Sequence, residues 1–494
     1  MRDVLESLAD RGRLTPDRPV LDDAEETVGW RALGARVDAA CRSMPDHAAT
    51  VAISGPEGIG WVVADLAASV LGRRVVPVPS FFSPGQVAHL VADAGVDLLL
   101  HPPGHPDPRV PVEVPRLALE RPPLGASTTS RPPAYAGGAE RVVYTSGTTG
   151  KPKGVVHGDR QLEHAIGALA SAAGASDADH HLTALPYALL LEQIAGIFLP
   201  LLVGARASVR PGPIGAALGG DVAPIGRLLG RIRPTTTVLV PRLLAGLVAL
   251  GRVGRLSTGG RLRLAAVGGA PVPGPIVRAA RELGIPVRRG YGLSECCAVA
   301  ALERADSDDD PVARPALCGR PLPGLEITLE DGEIVIAGPT VMNGYLGRPP
   351  LGAARWRTGD LGRLGRDGEL EVLGRRDRRL VLADGRNVAP EWVEAAVLCD
   401  PRVRWARLAA EDGAPILDLV PEPATLDWAD GAEDVELRTF VEGLLAALPR
   451  YAWPVRARWL DAPEAPCRRG VAIAPTMPCP TDDTPATLDG AEPT

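Results

Sequence analysis

The sequence predicts an α/β protein with a large N-terminal domain and a small C-terminal domain. Three observations support this prediction. Short apolar runs alternate with helical patterns over about the first 300 residues, short strands and tight turns take over near residue 310, and a mixed pattern returns after Gly374. These regions predict two parallel-type βα sheets, a small antiparallel β-barrel, and a small α+β domain.

The first 140 residues contain one set of alternating elements. Apolar residues at helical spacing are separated by runs of four or five apolar or β-branched residues. The predicted helices are 30–41, 60–71 and 86–94, and the predicted strands are 50–53, 75–78 and 96–100. Strands this short, separated by helices, are typical of crossover units in a parallel sheet that is covered on both faces.

The alternation repeats in the second region and then gives way to turns. The second set comprises helices 161–172, 189–202, 241–250 and 274–283 and strands 237–240, 262–267 and 287–289. Strands 325–329, 333–337 and 370–373 follow, with Asp-Gly turns at 331–332 and 367–368. The last region predicts a strand at 380–382 and helices at 390–398 and 435–448. Residues 471–494 are rich in Pro, Thr and Asp, which predicts a disordered tail.

Composition excludes several classes of function. The 60 acidic and 53 basic residues give a net charge of −7 without a basic block, which argues against a nucleic-acid or anionic-membrane partner. The seven cysteines show no C-x-x-C spacing, which argues against a zinc site or a disulfide framework. The N-terminal residues include acids where a signal peptide needs an apolar run, and no stretch is apolar enough to span a membrane. We therefore expect a cytoplasmic protein with a small-molecule substrate.

Lysine occurs only at positions 151 and 153, so the other 51 basic residues are arginine. Both lysines lie in the segment 142–155, where a strand leads into a stretch rich in Gly, Ser and Thr and then into an apolar run. Such a loop presents backbone N–H groups and hydroxyls to an anion, and phosphate is the obvious candidate. The glycine spacing differs from that of a Walker A loop.

This segment resembles the phosphate-loop signature of the adenylate-forming superfamily, which comprises acyl-CoA synthetases, nonribosomal-peptide adenylation domains and luciferases. Four further segments resemble family motifs and occur in the family's order, namely 268–271, 291–295, 356–360 and 374–377. Residues 385–392 resemble the long-chain or aryl acyl-CoA synthetase branch. The resemblance covers about residues 25 to 460 and implies a mobile C-terminal domain, with domains 1–374 and 375–470 followed by the tail 471–494.

The resemblance implies a role for each matched residue. ATP and Mg²⁺ are the implied cofactors, with a CoA or phosphopantetheine thiol as acceptor. Lys151 and Thr148 would act in catalysis and Glu295 would hold the metal. The remaining nucleotide-binding residues would be Thr145, Ser146, Gly147, Thr149 and Gly150 at the phosphates, Gly269, Ala270, Pro271, Tyr291 and Gly292 at the adenine, Ser294 at a phosphate oxygen, Asp360 at the ribose hydroxyls, Arg375 at ribose or phosphate, and Asp377 at the hinge.

One element of the family pattern is missing. Active members carry another lysine near the C-terminus, whereas this chain has none after position 153. Arg468 or Arg469 could take its place, although a guanidinium seldom replaces an ammonium without loss. A second departure is Val381, where many relatives have lysine.

The segment 185–196 occupies the position of the helix that lines the acyl pocket in the family. We expect an aryl or fatty acid in this pocket, which would be lined by Tyr187, Leu190, Gln193, Gly196 and Cys296. The predicted function is ATP-dependent formation of an acyl adenylate, followed by transfer to CoA or to an acyl carrier protein. Two alternatives stay open: a nitrite-activating enzyme that forms diazo or N-nitroso products, and a nucleotide-binding partner protein that has lost catalysis.

Overall fold

The computed structural model describes residues 1–119, 134–145, 151–210, 221–382, 385–411, 413–426, 429, 434–461 and 467–472, the last of these by backbone alone. The chain divides into two compact units, Met1–Arg379 with Leu398–Pro401, and Leu380–Val397 with Arg402–Thr494. The predicted domain boundary at residue 374 stays a prediction. The predicted tail beyond residue 472 lies outside the described residues.

Helices and strands alternate through most of the larger unit. Its strands are β1 (Pro19–Asp22), β2 (Thr27–Gly29), β3 (Thr50–Ile53), β4 (Arg74–Pro77), β5 (Leu98–His101), β6 (Arg116–Ala118), β7 (Glu140–Thr145), β8 (Lys153–Gly158), β9 (His180–Leu182), β10 (Arg206–Ser208), β11 (Thr236–Leu239), β12 (Leu264–Val267), β13 (Val287–Tyr291), β14 (Ala301–Leu302), β15 (Leu317–Pro321), β16 (Glu326–Glu330), β17 (Glu333–Ala337), β18 (Gly344–Tyr345), β19 (Arg355–Leu364) and β20 (Leu370–Arg375). Its helices are α1 (Arg2–Leu14), α2 (Trp30–Ser43), α3 (Ile59–Val70), α4 (Pro84–Ala94), α5 (Asp159–Ala173), α6 (Leu190–Glu192), α7 (Leu199–Val203), α8 (Ala223–Ile232), α9 (Pro241–Arg252) and α10 (Gly274–Glu282).

Two sheets organise the described part of this unit. One has seven strands in the order β18-β8-β7-β4-β3-β5-β6, and the other has thirteen in the order β16-β17-β19-β20-β15-β14-β13-β12-β11-β9-β10-β1-β2. The predicted α/β class with two parallel-type sheets is confirmed, because β3, β4 and β5 pair in parallel, as do β9, β11, β12 and β13. The antiparallel strands of the predicted barrel continue the larger sheet, since β14 pairs with both β13 and β15.

Local sequence explains how individual helices begin and end. At α4, Ser83 Oγ accepts from the N–H of Gln86 at 3.3 Å, while Gln86 Oε1 accepts from the N–H of Ser83 at 2.9 Å. Pro84 fits the first helical position, and Gly95 ends the helix at φ 60°. Such an N-cap stabilises a helix by about 1 kcal/mol. Residues 189–202 were predicted as one helix and contain a π-helical segment, Gln193–Phe198, between α6 and α7.

The smaller unit contains strands and helices of its own. These are β21 (Leu380–Val381), β22 (Asn387–Val388), α11 (Pro390–Leu398), β23 (Val403–Glu411), β24 (Ala414–Pro421), α12 (Asp434–Leu445), β25 (Arg456–Leu460) and β26 (Cys467–Ala472). Strands β23 to β26 form one sheet in sequence order. Leu437, Val441 and Leu445 of α12 are buried at a spacing of four residues, which is the apolar stripe of an amphipathic helix.

Candidate functional site

The two lysines lie on a hairpin of the seven-stranded sheet. Strands β7 and β8 pair antiparallel with Thr145 opposite Lys153, so the predicted phosphate loop connects their ends. Lys151 is exposed, whereas Lys153 is half-buried and its Nζ lies 5.7 Å from the centre of the Tyr345 ring. Five predicted residues of this loop lie outside the described residues: Ser146, Gly147, Thr148, Thr149 and Gly150.

A glycine turn follows β12 at the carboxyl end of the larger sheet. A Cβ on Gly268 would lie 2.8 Å from the carbonyl oxygen of Gly290, so a side chain would not fit there. Gly269 has φ +83°, a conformation that L side chains rarely adopt. Gly269 and Ala270 are exposed and Pro271 is half-buried. The turn therefore leaves its backbone accessible to a planar ligand edge, and its contact with the adenine stays a prediction.

The segment 291–295 turns sharply after β13. A Cβ on Gly292 would lie 1.6 Å from the carbonyl oxygen of Ala298, so only glycine fits there. Cys297 and Ala298 both have positive φ, at 57° and 78°. Backbone outliers of this kind cost of order 1–3 kcal/mol each and are often found at functional sites. Here the positive φ angles of Cys297 and Ala298 turn the chain so that the Ala298 carbonyl packs directly against Gly292.

Tyr291, Asp360 and Arg375 form a group that we call the Asp360 cluster. Tyr291 donates its hydroxyl to Asp360 Oδ2 at 2.6 Å, and Arg375 Nη1 lies 3.3 Å from Asp360 Oδ1. The strand register explains this meeting, because Asp360 on β19 stands opposite Arg375 on β20. Burial raises the pKa of Asp360 above its ordinary value, and the bonds from Tyr291 and Arg375 offset part of that rise.

Glu333 was not singled out from the sequence. Its buried carboxylate accepts from the N–H of Gly359 at 3.0 Å, from Arg357 Nη2 at 2.7 Å and from Arg376 Nη1 at 2.9 Å. The hydrogen bonds from Arg357, then those from Gly359 and Arg376, lower its pKa despite burial. A charged residue at the start of the predicted strand 333–337 is the signal that could have identified it. It ties the turn before Asp360 to the segment of the predicted hinge.

Arg375 also contacts the predicted hinge residue. Its Nε lies 3.1 Å from Asp377 Oδ1, and this guanidinium lowers the pKa of the Asp377 carboxyl. The backbone N–H of Arg376 donates to the carbonyl of Gly359 at 2.8 Å. The predicted nucleotide-contacting arginine and the predicted hinge aspartate are therefore neighbours at the end of β20.

Glu295, the predicted metal ligand, is half-buried and accepts a hydrogen bond from the Tyr345 hydroxyl at 2.8 Å. Among the described residues no group of three or more His, Cys, Asp or Glu side chains could hold a metal ion. Magnesium usually takes one or two carboxylates together with water and substrate phosphates, so one partly accessible carboxylate fits this ion. Next to it, the carbonyl of Ser294 accepts from Nε2 of the buried His157 at 2.7 Å.

A cavity of about 480 Å³ lies against the larger sheet, and we call it the sheet-face cavity. One end is bordered by Gly269, Tyr291 and Ser294, and the other by Ala173, Asp179 and Arg263. Residues on α5, on the segment 185–200 and on β11 and β12 form its walls: Leu169, Leu185, Leu189, Leu190, Leu191, Ala195, Leu199, Pro200, Thr236, Thr237, Val238, Leu264, Ala266 and Val267. Its size is typical of small-molecule pockets.

Of the five predicted pocket residues, Leu190 lines this cavity. Gln193 accepts from Arg141 at 2.6 Å and donates to the carbonyl of Tyr187, so both belong to a buried network that includes the Arg141–Asp65 ion pair. Gly196 packs against Glu192, which is fully buried. Cys296 is fully buried, and burial raises the pKa of its thiol. Among the described lining residues these four are absent.

The predicted substitute for the missing lysine lies on the last strand of the smaller unit. The backbone of Arg468 and Arg469 belongs to β26, which pairs antiparallel with β25, and Trp459 stands opposite Arg469. Their side chains lie outside the described part of the structure. The role of either arginine stays a prediction.

Comparison with protein-family profiles identifies the family to which the chain belongs. The sequence profile of the AMP-binding enzyme family matches residues 8–346. The chain belongs to this family. An isonitrile lipopeptide synthase of Streptomyces coeruleorubidus is 30% identical to this AMP-binding enzyme over 386 residues, which are 73% of this chain and 25% of the synthase. A 2-succinylbenzoate-CoA ligase of Bacillus cereus is 29% identical over 420 residues, which are 80% of this chain and 83% of the ligase.

Another relative, a plipastatin synthase of Bacillus subtilis, is 28% identical, and the match spans only 17% of that synthase chain. Among solved structures, o-succinylbenzoate CoA synthetase of Bacillus subtilis with its acyl-adenylate intermediate aligns with a TM-score of 0.72 and 25% identity over 92% of this chain and 94% of that one. The same synthetase has been solved with ATP and a magnesium ion. Within the ranges that the structure describes, no helix has the length and apolar character needed to cross a bilayer.

Proposed function

We propose that this AMP-binding enzyme activates a carboxylic acid with ATP to form an acyl adenylate and pyrophosphate, and then transfers the acyl group to a thiol. One observation carries the proposal. The sheet-face cavity ends at Gly269, Tyr291 and Ser294, and Tyr291 is also part of the Asp360 cluster. An apolar pocket thus opens directly onto a polar site that suits a nucleotide, which is what joining an acid to AMP requires.

In the proposed reaction the substrate carboxylate attacks the α-phosphate of ATP. Asp360 accepts hydrogen bonds from the ribose hydroxyls, and the exposed backbone at Gly269 meets the adenine edge. Glu295 would hold magnesium, which would neutralise phosphate charge. Lys151 places a second positive charge at the departing pyrophosphate. Such preorganised charges act mainly by stabilising the transition state, so little covalent chemistry falls to the side chains.

The acceptor is proposed to be the thiol of CoA, since most of the length of the Bacillus cereus CoA ligase matches this chain. This chain also matches parts of the plipastatin and isonitrile lipopeptide synthases, over 17% and 25% of their own length. The alternative acceptor is therefore the thiol of a carrier protein. Arg468 or Arg469 is proposed to replace the missing lysine. If neither does, loss of one such donor slows adenylation by about 10²–10³-fold. A cytoplasmic location stays a prediction.

The test is incubation with MgATP and a panel of aliphatic and aryl acids, with pyrophosphate release and mass spectrometry of the adenylate as readouts. We expect an acyl adenylate, and we expect its formation to fall at least about 100-fold in Lys151→Ala. Lys153→Arg keeps the charge at the neighbouring position and serves as the matched control. ATP binding without turnover of any acid would contradict the proposal, and AMP formation dependent on nitrite and an arylamine would replace it.

A further inference from the structure

The sheet-face cavity follows the whole length of its strands. On β12 its lining runs from Arg263 through Leu264 and Ala266 to Gly268 and Gly269. Six residue steps at a rise of about 3.3 Å make this path about 20 Å long. An aryl acid with one ring would fill only the part of this path nearest the nucleotide site.

The middle of the path faces open space. Ala266 lies on β12, an interior strand of the sheet that pairs with β11 on one side and β13 on the other. A side chain on such a strand is normally buried. Ala266 is nevertheless only half-buried, whereas its neighbour Ala265 on the opposite face is fully buried. Side chains alternate across a strand, so Leu264, Ala266 and Gly268 share the cavity face. The small side chain at Ala266 keeps this passage open.

The charged groups along the cavity are already paired. Arg263 Nε lies 2.7 Å from Asp179 Oδ1, and Asp179 also accepts from the Thr235 hydroxyl at 2.7 Å. His181 bonds to the Thr236 hydroxyl at 3.0 Å and to Glu192 Oε1 at 3.2 Å. Among the described lining residues no cation is therefore free for a second carboxylate. Burying an unpaired carboxylate here would be costly.

We propose that the acid which this enzyme activates is an unbranched aliphatic acid of medium to long chain. The inference rests on the proposed function and adds the substrate class. The carboxylate end lies at Gly269 and Tyr291, and the chain runs along β11 and β12 toward Ala173 and the Arg263–Asp179 pair. Ala266 sets the passable width, and Ala173 sets the far limit of chain length.

The first experiment compares butanoate, octanoate, dodecanoate, benzoate and 2-succinylbenzoate in the pyrophosphate-release assay. We expect kcat/KM to rise from butanoate to dodecanoate by up to about fourfold for each added methylene that becomes buried. We expect both aryl acids to be at least about tenfold poorer than dodecanoate. A preference for either aryl acid would overturn the inference and leave the proposed function intact.

Two variants then test the path itself. Ala266→Leu narrows the middle, so we expect it to lower kcat/KM for octanoate and dodecanoate at least about tenfold more than for butanoate. Ala173→Leu narrows only the far end of the cavity, and we expect it to lower kcat/KM for dodecanoate but not for octanoate or butanoate. Equal losses for all three acids in both variants would contradict a lengthwise path.

Direct binding separates failure of this inference from failure of the proposed function. Calorimetry with dodecanoate, without ATP, measures the affinity of the cavity for the acid alone. Calorimetry with AMP on the same samples checks that the variants are folded. Dodecanoate binding that is weakened by Ala266→Leu supports the inference even if no adenylate forms. No dodecanoate binding to an enzyme that forms an aryl adenylate refutes it.

Discussion

The Asp360 cluster and the sheet-face cavity meet at Tyr291 but are built in opposite ways. The cluster consists of polar and charged side chains whose mutual hydrogen bonds fix a few atoms in place, with Asp360 accepting from the Tyr291 hydroxyl at 2.6 Å. The cavity consists mainly of aliphatic side chains, and the charges at its margin are paired with one another. The difference indicates that the cluster fixes the positions of individual polar atoms, whereas the cavity sets only the size and shape of what it can hold.

The comparison predicts that the two regions can be disabled separately. Asp360→Ala removes the proposed acceptor for the ribose hydroxyls, and hydrogen bonds to a charged group are each worth about 1.5–3 kcal/mol. We expect the KM for ATP to rise by about 100-fold or more, while the Kd for the free acid stays within about twofold. Steady-state kinetics with varied ATP and calorimetry with the acid measure the two effects.

Tyr291→Phe is the control for that change, since it removes only one partner of Asp360. Its KM for ATP should rise by less than about tenfold, as for one neutral donor. Equal weakening of ATP and acid binding in Asp360→Ala would show that the cluster and the cavity are one cooperative unit.

The next largest effect concerns His157, which lies beneath the segment 291–295. Burial lowers the pKa of His157 to about 4, although the bond to the Ser294 carbonyl opposes that shift. The unfolded chain has the ordinary pKa of about 6.5. The folded state thus binds the proton more weakly, so stability is fully present above pH 6.5 and is lost as the pH falls toward 4.

We expect roughly 3 kcal/mol to be lost through His157 over this interval. Urea unfolding at a series of pH values measures the loss. The glutamine side chain in His157→Gln can still donate to the Ser294 carbonyl but cannot titrate. The free energy of unfolding of the variant should therefore fall by roughly 3 kcal/mol less than that of the native protein between pH 6.5 and pH 4. An unchanged pH dependence in the variant would assign the acid sensitivity to other groups.

The smallest predicted effect lies where the two regions join. Gly292→Ala places a Cβ 1.6 Å from the carbonyl oxygen of Ala298, so the backbone must move. Overpacking of this kind costs about 1–3 kcal/mol. Because Gly292 lines the cavity and follows Tyr291, we expect the KM for ATP and for the acid to rise together.

Gly60→Ala is the matched control for Gly292→Ala. Gly60 lies in α3, and nothing lies within 4 Å of a Cβ added there. Alanine favours a helix over glycine by up to about 1 kcal/mol, so thermal unfolding should show no loss of stability. A rise in only one KM in Gly292→Ala would mean that the turn serves a single region.

Local sequence predicted those parts of the fold whose signals are local. Helices α2, α3, α4, α9 and α10 were recognised from the periodicity of their apolar residues. The π-helical segment 193–198 was not predictable, because the apolar stretch 189–202 that contains it also suits an ordinary helix. Strands β23 to β26 were missed, and the parallel pairing of β24 with β25 was not predictable from local pattern, because it joins segments far apart in the chain.

The site divides in the same way. Motif resemblance pointed to Asp360, Arg375 and Tyr291, and the structure brings these three together. Glu333 and His157 were missed, because their importance comes from partners about 25 and 137 residues away rather than from any local pattern. Gln193 was assigned to the pocket from its place in a helix, although its side chain turns toward Arg141, a residue on another element.

The pairing of Thr145 with Lys153 has a practical consequence, because the sequence carries no other side-chain amines than those of Lys151 and Lys153. Lys151 is exposed beside the hairpin connection, whereas Lys153 is half-buried and faces the ring of Tyr345. An amine-reactive fluorophore would therefore attach to a lysine side chain preferentially at Lys151. The native chain thus carries a reporter position at its proposed phosphate loop without any engineered residue.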